Sequence, residues 1–280
     1  MSRRLLCTVV VATTSCCFPL PAHGASAPRT ATLLAAGDIA SCGSNGDEQT
    51  AALVSGLKGT IAALGDLAYD NGTEQEFREC YAPTWGRFVA RTRAALGNHD
   101  YNTGTANAAI AALRLPRQGW YSYPLGAWHV IVLNSNCERA GGCGRGSPQW
   151  LWLKADLAAT RARCTLAYWH HARFSSGSHG SDTATAPFWD LLARARADLV
   201  LQGHDHDYER FAPLRGIRSF VVGTGGKELR PFETVHPASE VRNADTWGVL
   251  RLTLRPTGYD WRFLSVPGST FTDAGRASCR

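Results

Sequence analysis

The stretch Thr60-Ile61-Ala62-Ala63-Leu64-Gly65-Asp66-Leu67-Ala68-Tyr69 sets the fold and, with it, the chemistry. A short apolar run suited to a buried strand stops at a glycine, and an aspartate follows at once. The same pattern recurs on both sides. Residues 32–36 end in Gly37-Asp38, and 92–96 end in Gly97-Asn98-His99-Asp100. Further on, 165–169 end in His170-His171, and 197–201 end in Gln202-Gly203-His204-Asp205-His206. Stretches with helical periodicity separate these runs. The clearest predicts a helix over 148–161, with Ser147 as N-cap and Pro148 at the first helical position. Residues 120–134 break the rhythm and predict a hairpin turning at 124–126. Three more strands are expected at 217–222, 249–254 and 259–264. The chain therefore reads as α/β (α+β), a four-layer sandwich of two mixed β-sheets flanked by helices, with polar residues gathered at strand ends.

Of the 280 residues, 44% are hydrophobic and 19% charged, which is enough apolar material for one large core. The formal charge of +6 includes Arg3 and Arg4, and the remaining excess is dispersed. No nucleic acid-binding surface is expected, since that needs a concentrated basic face. A weak attraction for anionic substrates is expected instead. Arg3-Arg4 precede an apolar run from Leu5 to Ala12, and small residues cluster at 21–25. This predicts a secretory signal peptide over 1–25 and one folded domain over 26–280. Ser2-Arg3-Arg4 hints at the twin-arginine route, but the charged region is short, so the ordinary Sec route is expected. The apolar run falls short of the roughly 20 residues that span a bilayer, and no other segment approaches that length. The exported chain should therefore carry no transmembrane segment. Cys7, Cys16 and Cys17 leave with the leader, and six cysteines remain. An even number in an exported chain reads as disulfides, with Cys137 and Cys143, on either side of a Gly-rich loop, as the expected local pair. No CxxC spacing supports a thiolate metal site.

Taken singly, Gly-Asp after a strand is a turn. Five strand ends together deliver Asp38, Asp66, Asn98, His170 and the pair His204/His206. These oxygen and imidazole donors suit iron, zinc or manganese. A shared carboxylate can hold two cations close together. On an extended segment, His204 and His206 would point the same way. The ordered pattern resembles the calcineurin-like metallophosphoesterase superfamily, from about Leu33 to Glu209. In that superfamily a histidine often stands two residues after the first aspartate, where this chain has Ala40. Gly65-Asp66-Leu67-Ala68-Tyr69 matches instead the GDxxY motif of the purple acid phosphatases, whose tyrosine binds ferric iron as tyrosinate. The resemblance implies that Asp38, Tyr69 and His206 bind a first metal, ferric iron. It implies that Asn98, His170 and His204 bind a second, divalent zinc, manganese or iron, and that Asp66 bridges the two.

His99 resembles the family histidine that meets the substrate phosphate and protonates the leaving oxygen, with Asp100 as its expected carboxylate partner. His179 lies nine residues after His170, where plant members carry a phosphate-binding histidine, and His171 is expected to line the pocket as a further substrate contact. Glu209 is expected to hold a ligand histidine and Arg210 to pair with it. Gly223-Thr224-Gly225-Gly226-Lys227 lacks the Walker spacing and predicts a tight turn near the site. His129 is expected to be structural, and His236 to sit in an exposed loop. Residues 102–118 and 175–182 are expected to line the pocket. The implied function is a secreted phosphatase that hydrolyses phosphate monoesters with water activated at a dinuclear metal centre, with Asp66, His99 and His179 serving the reaction. The alternative is a phosphodiesterase acting on nucleotides or lipid headgroups with the same metals. A binding protein on a dead scaffold would show gaps among the ligand positions, and every position is filled. The sequence gives no oligomeric state.

Overall fold

The computed structural model describes Met1 and residues 29–280. Apart from Met1, the expected signal peptide lies outside the described residues. The chain runs through β1 (Ala31–Ala36), β2 (Ala40–Ser41), α1 (Gly46–Ser55), β3 (Thr60–Leu64), β4 (Ala68–Tyr69), α2 (Glu74–Glu76), β5 (Thr92–Ala95) and α3 (Asn107–Leu113). It continues through β6 (Tyr121–Leu125), β7 (Trp128–Val132), α4 (Pro148–Ala159), β8 (Cys164–Tyr168), α5 (Ala186–Arg194) and β9 (Leu199–Gln202). The last part forms β10 (Tyr208–Phe211), β11 (Arg218–Val222), β12 (Ser239–Asn243), β13 (Gly248–Arg255), β14 (Gly258–Ser265) and β15 (Ala274–Ser278).

One sheet has the order β15-β14-β13-β1-β3-β5 and the other β12-β10-β11-β9-β8-β7-β6. Both are mixed. β1, β3 and β5 run parallel, as do β7, β8 and β9, so their carboxyl ends open on one side of the molecule. A short parallel pair, β2 with β4, sits above the first sheet's edge of loops and sets Ala40 opposite Ala68 and Ser41 opposite Tyr69.

Side chains of period two make the layers. Val130, Val132, Leu166, Tyr168, Leu199 and Leu201 join the core shared with Leu34, Ile61 and Leu250 of the other sheet. Their neighbours Ile131, Ala167 and Val200 face outward against Leu153 of α4 and Phe188 and Leu192 of α5. On the far side Ala51 and Val54 of α1 cover the first sheet. The expected four-layer sandwich is what forms. Ser147 caps α4, its hydroxyl accepting from Trp150 N–H at 3.3 Å, and the helix stops at Ala159 because Thr160 is already extended.

Strands β10, β12 and β15 carry no apolar run, which is why the sequence did not announce them. β12 and β15 are half-exposed sheet edges, Ser-Glu-Val-Arg-Asn and Ala-Gly-Arg-Ala-Ser. Three disulfides close the chain: Cys42–Cys80, the expected Cys137–Cys143, and Cys164–Cys279. The last joins the start of β8 in one sheet to the residue after β15 in the other. Among the described residues no helix is long and apolar enough to cross a membrane.

Candidate metal centre

Seven side chains converge where the carboxyl ends of the two sheets meet. Gly37 and Gly65 carry the chain from β1 and β3 to Asp38 and Asp66, and Leu96-Gly97 carries it from β5 to Asn98. Tyr69 arrives on β4. His170 follows β8, and His204 and His206 follow β9. Asp38, Asp66 and His204 have φ of 57°, 49° and 76°, a conformation that costs a non-glycine residue roughly 1–3 kcal/mol. Backbone bonds between the loops hold it: Asp38 N–H donates to Gly65 O at 3.1 Å and Ile39 N–H to Asp66 O at 2.9 Å. At Gly97 only a glycine fits, since a Cβ would strike Asp66 Oδ1.

The donor atoms sort into two sets around one oxygen. Asp66 Oδ2 lies 2.9 Å from Tyr69 Oη and 3.3 Å from His170 Nε2. On one side, Tyr69 Oη is 2.8 Å from Asp38 Oδ1 and 3.3 Å from His206 Nε2. On the other, His170 Nε2 is 3.1 Å from Asn98 Oδ1 and 3.2 Å from His204 Nδ1. Donors held at about 2.0–2.2 Å from one ion sit roughly 3–3.5 Å apart. The donor atoms of Asp66, His170 and His204 all lie within 4.8 Å of one another, a spacing that suits one cation. Asp38, Asp66 and His206 are gathered around Tyr69 Oη, and Asp66 Oδ2 lies beside both sets.

The remaining atoms of these residues are fixed by backbone. His170 Nδ1–H donates to Leu64 O (2.9 Å) and His206 Nδ1–H to Glu228 O (2.7 Å), which turns both Nε2 atoms inward. Asp66 Oδ1 accepts from His99 N–H (2.8 Å) and Asp38 Oδ2 from His204 N–H (2.9 Å). Residues 204–207 form a bend rather than the expected extended segment. His204 and His206 consequently reach the cluster through different nitrogens, Nδ1 and Nε2.

Asp38, Asp66, Tyr69 and His170 are buried, so this crowd of lone pairs calls for positive charge. Burial lowers His170, yet Asp66 and Asp38 push it up to about 9. A proton is drawn in where a cation fits. Burial raises Asp38 to about 7, against the pull of His170. Burial opposes ionisation of Asp66 too, but His170, His99 and His204 hold it well below the carboxylate range. Burial and the two carboxylates raise Tyr69 well above an ordinary phenol. His204 is lowered by burial and by His170, and His206 is lowered to about 4 by burial and Arg230. Neutral imidazoles are the form a metal takes. A second grouping, Cys164, Asp198 and Cys279, offers a metal nothing, because both thiols are in a disulfide.

Around this cluster several expectations change. Asp100 does not hold His99. It is buried and accepts from Leu67 N–H (3.1 Å) and Gly97 N–H (2.8 Å), tying two ligand loops together, while His99 Nδ1 meets Asp70 O at 2.6 Å. Glu209 holds no ligand histidine; it accepts from Ser176 N–H at 2.8 Å and from the Ser239 hydroxyl. Arg210 pairs with Asp273 (2.6 Å) and Glu240, not with Glu209. His179 does reach the cluster. Its ring lies 4.1 Å from that of His204, its Nδ1 is 3.0 Å from Asp205 Oδ1, and Arg230 stands 3.2 Å from its Nε2. Arg230 escaped sequence reading because nothing local marks it. His171 lines a groove beside Asn98, and burial together with His170 lowers it to about 3. His129 is structural, bonded to Asp156 at 2.6 Å, and His236 is half-buried against Phe174 and Phe211 rather than exposed. The turn at 223–227 packs under the site, where Gly225 N–H donates to Gly37 O at 2.9 Å.

The family model of the calcineurin-like phosphoesterases matches residues 23–208. An uncharacterised protein of Mycobacterium tuberculosis is 29% identical over 205 residues, 61% of this chain and 37% of its own length. A phosphoenolpyruvate phosphatase of Allium cepa is 27% identical over 190 residues, 56% of this chain and 37% of its own. A purple acid phosphatase of Arabidopsis thaliana is 26% identical over 220 residues, 64% and 47%. The chain thus spans less than half the length of these relatives. Among solved structures, a purple acid phosphatase from yellow lupin seeds is similar with a TM-score of 0.77 and 18% identity, over 89% of this chain and 54% of its own. The inner membrane complex anchor of Plasmodium is similar with a TM-score of 0.71 and 17% identity, over 87% and 88%. These two likenesses concern the fold. The matched segment contains all seven converging side chains, Asp38 through His206, and the chain belongs to the calcineurin-like phosphoesterase family.

Proposed function

We propose that this chain is an exported two-metal phosphatase acting on phosphate monoesters. The observation that carries the reading is Asp66 Oδ2, one oxygen that lies beside Tyr69 of one donor set and His170 of the other. Asp38, Tyr69 and His206 would hold one ion, and their hard anionic oxygens favour ferric iron. Asn98, His170 and His204 would hold the other, and an amide with two imidazoles suits divalent zinc, manganese or iron. Two such ions stabilise charge growing on the phosphoryl group and make water nucleophilic near neutral pH.

The chain's own groups would bind and move protons. His99 donates Nδ1–H to the Asp70 carbonyl, which can only accept, so Nε2 is the atom left to face the cluster, 3.9 Å from Asp66 Oδ2. A proton there can pass to the leaving oxygen. His179 and His171 flank His204 as further substrate contacts. The relatives named as phosphatases support monoesters over diesters. The three disulfides support export.

Asp66→Ala tests the reading. It should leave fewer than two metals per chain and lower phosphomonoester turnover by about a thousandfold or more. Elemental analysis of pure protein, with a panel of monoesters and diesters, measures both. Full activity at an unchanged metal count would sink the assignment, and a clear preference for diesters would move it to a phosphodiesterase.

A further inference from the structure

We propose that the groove beside Asn98 is a leaving-group subsite for an uncharged, hydroxylated alcohol, a polyol or sugar, with Ser135 positioning His171 as a donor to it. The proposal rests on the phosphatase reading above. A groove of about 460 Å³ opens at Asn98 and is walled by Tyr101, Asn102, Ser135, Asn136 and His171. Sites for small molecules span about 300–1,000 Å³. The groove takes in Asn98 and Asn102, chain neighbours of the proton donor His99, whose own ring does not line it. Asn102 Nδ2 is 3.3 Å from His99 Nδ1, and both bond the Asp70 carbonyl. An alcohol released beside Asn98 would depart along it.

The donors in this groove are fixed by their neighbours. Ser135 is buried, and its hydroxyl oxygen accepts from His171 N–H at 3.0 Å while lying 2.8 Å from His171 Nδ1. Among the described residues the hydroxyl has no other acceptor, so its proton goes to Nδ1. His171 then carries its own proton on Nε2, and among the described residues nothing takes that N–H. Tyr101 Oη accepts from Asn134 Nδ2 at 2.8 Å, which leaves the phenol proton free as well. Two rigid donors beside the scissile position suit substrate hydroxyls.

Charge and shape narrow the class. Arg139 shares the groove with Glu138 and Asp182, so no excess of positive charge rewards an anionic alcohol. Its apolar wall is little more than Tyr101, Cys137 and Ala184, a poor seat for an aryl group.

Glycerol 2-phosphate and isopropyl phosphate differ by two hydroxyls on one carbon skeleton, and kcat/KM on the metal-loaded full chain compares them. The expected preference for the glycerol ester is about tenfold, the worth of one or two hydrogen bonds. Ser135→Ala should cut that ratio about fivefold, whereas Ser135→Thr, which keeps the hydroxyl, should retain it. Nitrogen NMR should show His171 protonated at Nε2 in the parent chain. An equal rate on both esters in the parent chain overturns the proposal. So does a ratio that survives Ser135→Ala, or an Nδ1–H tautomer in the parent chain. If neither ester nor phenyl phosphate is hydrolysed, the phosphatase reading fails and this proposal falls with it.

Discussion

Tyr69 donates towards Asp38 and Asp66 at once, at 2.8 and 2.9 Å, with burial raising the cost of its anion further. Ionising a phenol between two carboxylates needs a strongly charged cation in the same cavity, the place the proposed function gives to ferric iron. A ferric ion with a phenolate ligand absorbs visible light by charge transfer. Protein purified with its native metals, never exposed to chelator, should therefore be coloured and contain iron. Tyr69→Phe should abolish the colour, while Asp38, Asp66 and His206 retain a metal. Visible spectra and iron content check this. Active protein that is colourless and iron-free defeats the tyrosinate reading, as does colour that persists in the variant. The GDxxY spacing made this residue legible because the whole motif is local. His99 was legible as a histidine in the right loop, but its partner was not. Asp100 adjoins it in sequence, yet its carboxylate is spent on Leu67 and Gly97 N–H, and a carbonyl from another loop takes the imidazole. Adjacency in sequence says little about which way a turn residue points.

Strands with both faces buried were legible because unbroken apolar runs mark them, as in β1, β3 and β9. The loop that carries His179 depends on contacts no local pattern encodes. Asp205 accepts from His179 N–H at 2.8 Å and from the Ser175 hydroxyl, while Glu209 holds Ser176. These two carboxylates fasten residues 175–179 beside the candidate ligand cluster, with the His179 ring 4.1 Å from that of His204. Disulfides act on elements in the same way but at longer range. Cys164–Cys279 closes 115 residues and Cys137–Cys143 closes only 6. The chain-entropy model then gives about 5 kcal/mol for the first and about 2 kcal/mol for the second. Replacing Cys164 and Cys279 together by alanine should destabilise the protein more than replacing Cys137 and Cys143. Denaturant titration of both double variants measures the difference, and a reversed order would show that local packing outweighs loop entropy.

The two sheets are joined at opposite ends of β8. Cys164 at its start bonds to Cys279, beyond the other sheet's β15, and His170 past its end meets Asp66, from the other sheet's β3. Three candidate ligands come from the first sheet's strand ends and three histidines from the second's, so metal binding should brace the sandwich as a whole. The pH dependence of stability separates this bracing from the protons that replace it. In chelated protein His170 holds a proton up to about 9, whereas an unfolded histidine releases it near 6.5. Between those values the native state binds more protons than the unfolded state, so stability falls as pH rises through the window. His171 and His206, lowered to about 3 and about 4, act in the opposite sense and only below 6.5. Asp38 and Asp100, raised to about 7, cease to contribute above it. Among these cluster groups, His170 alone titrates from about pH 7 to 9. Calorimetry of chelated protein should show Tm declining across that range, and metal-loaded protein should be flatter and more stable, because the ion displaces the proton. A flat profile after chelation, or the same decline with metal bound, would separate His170 from the cation's place.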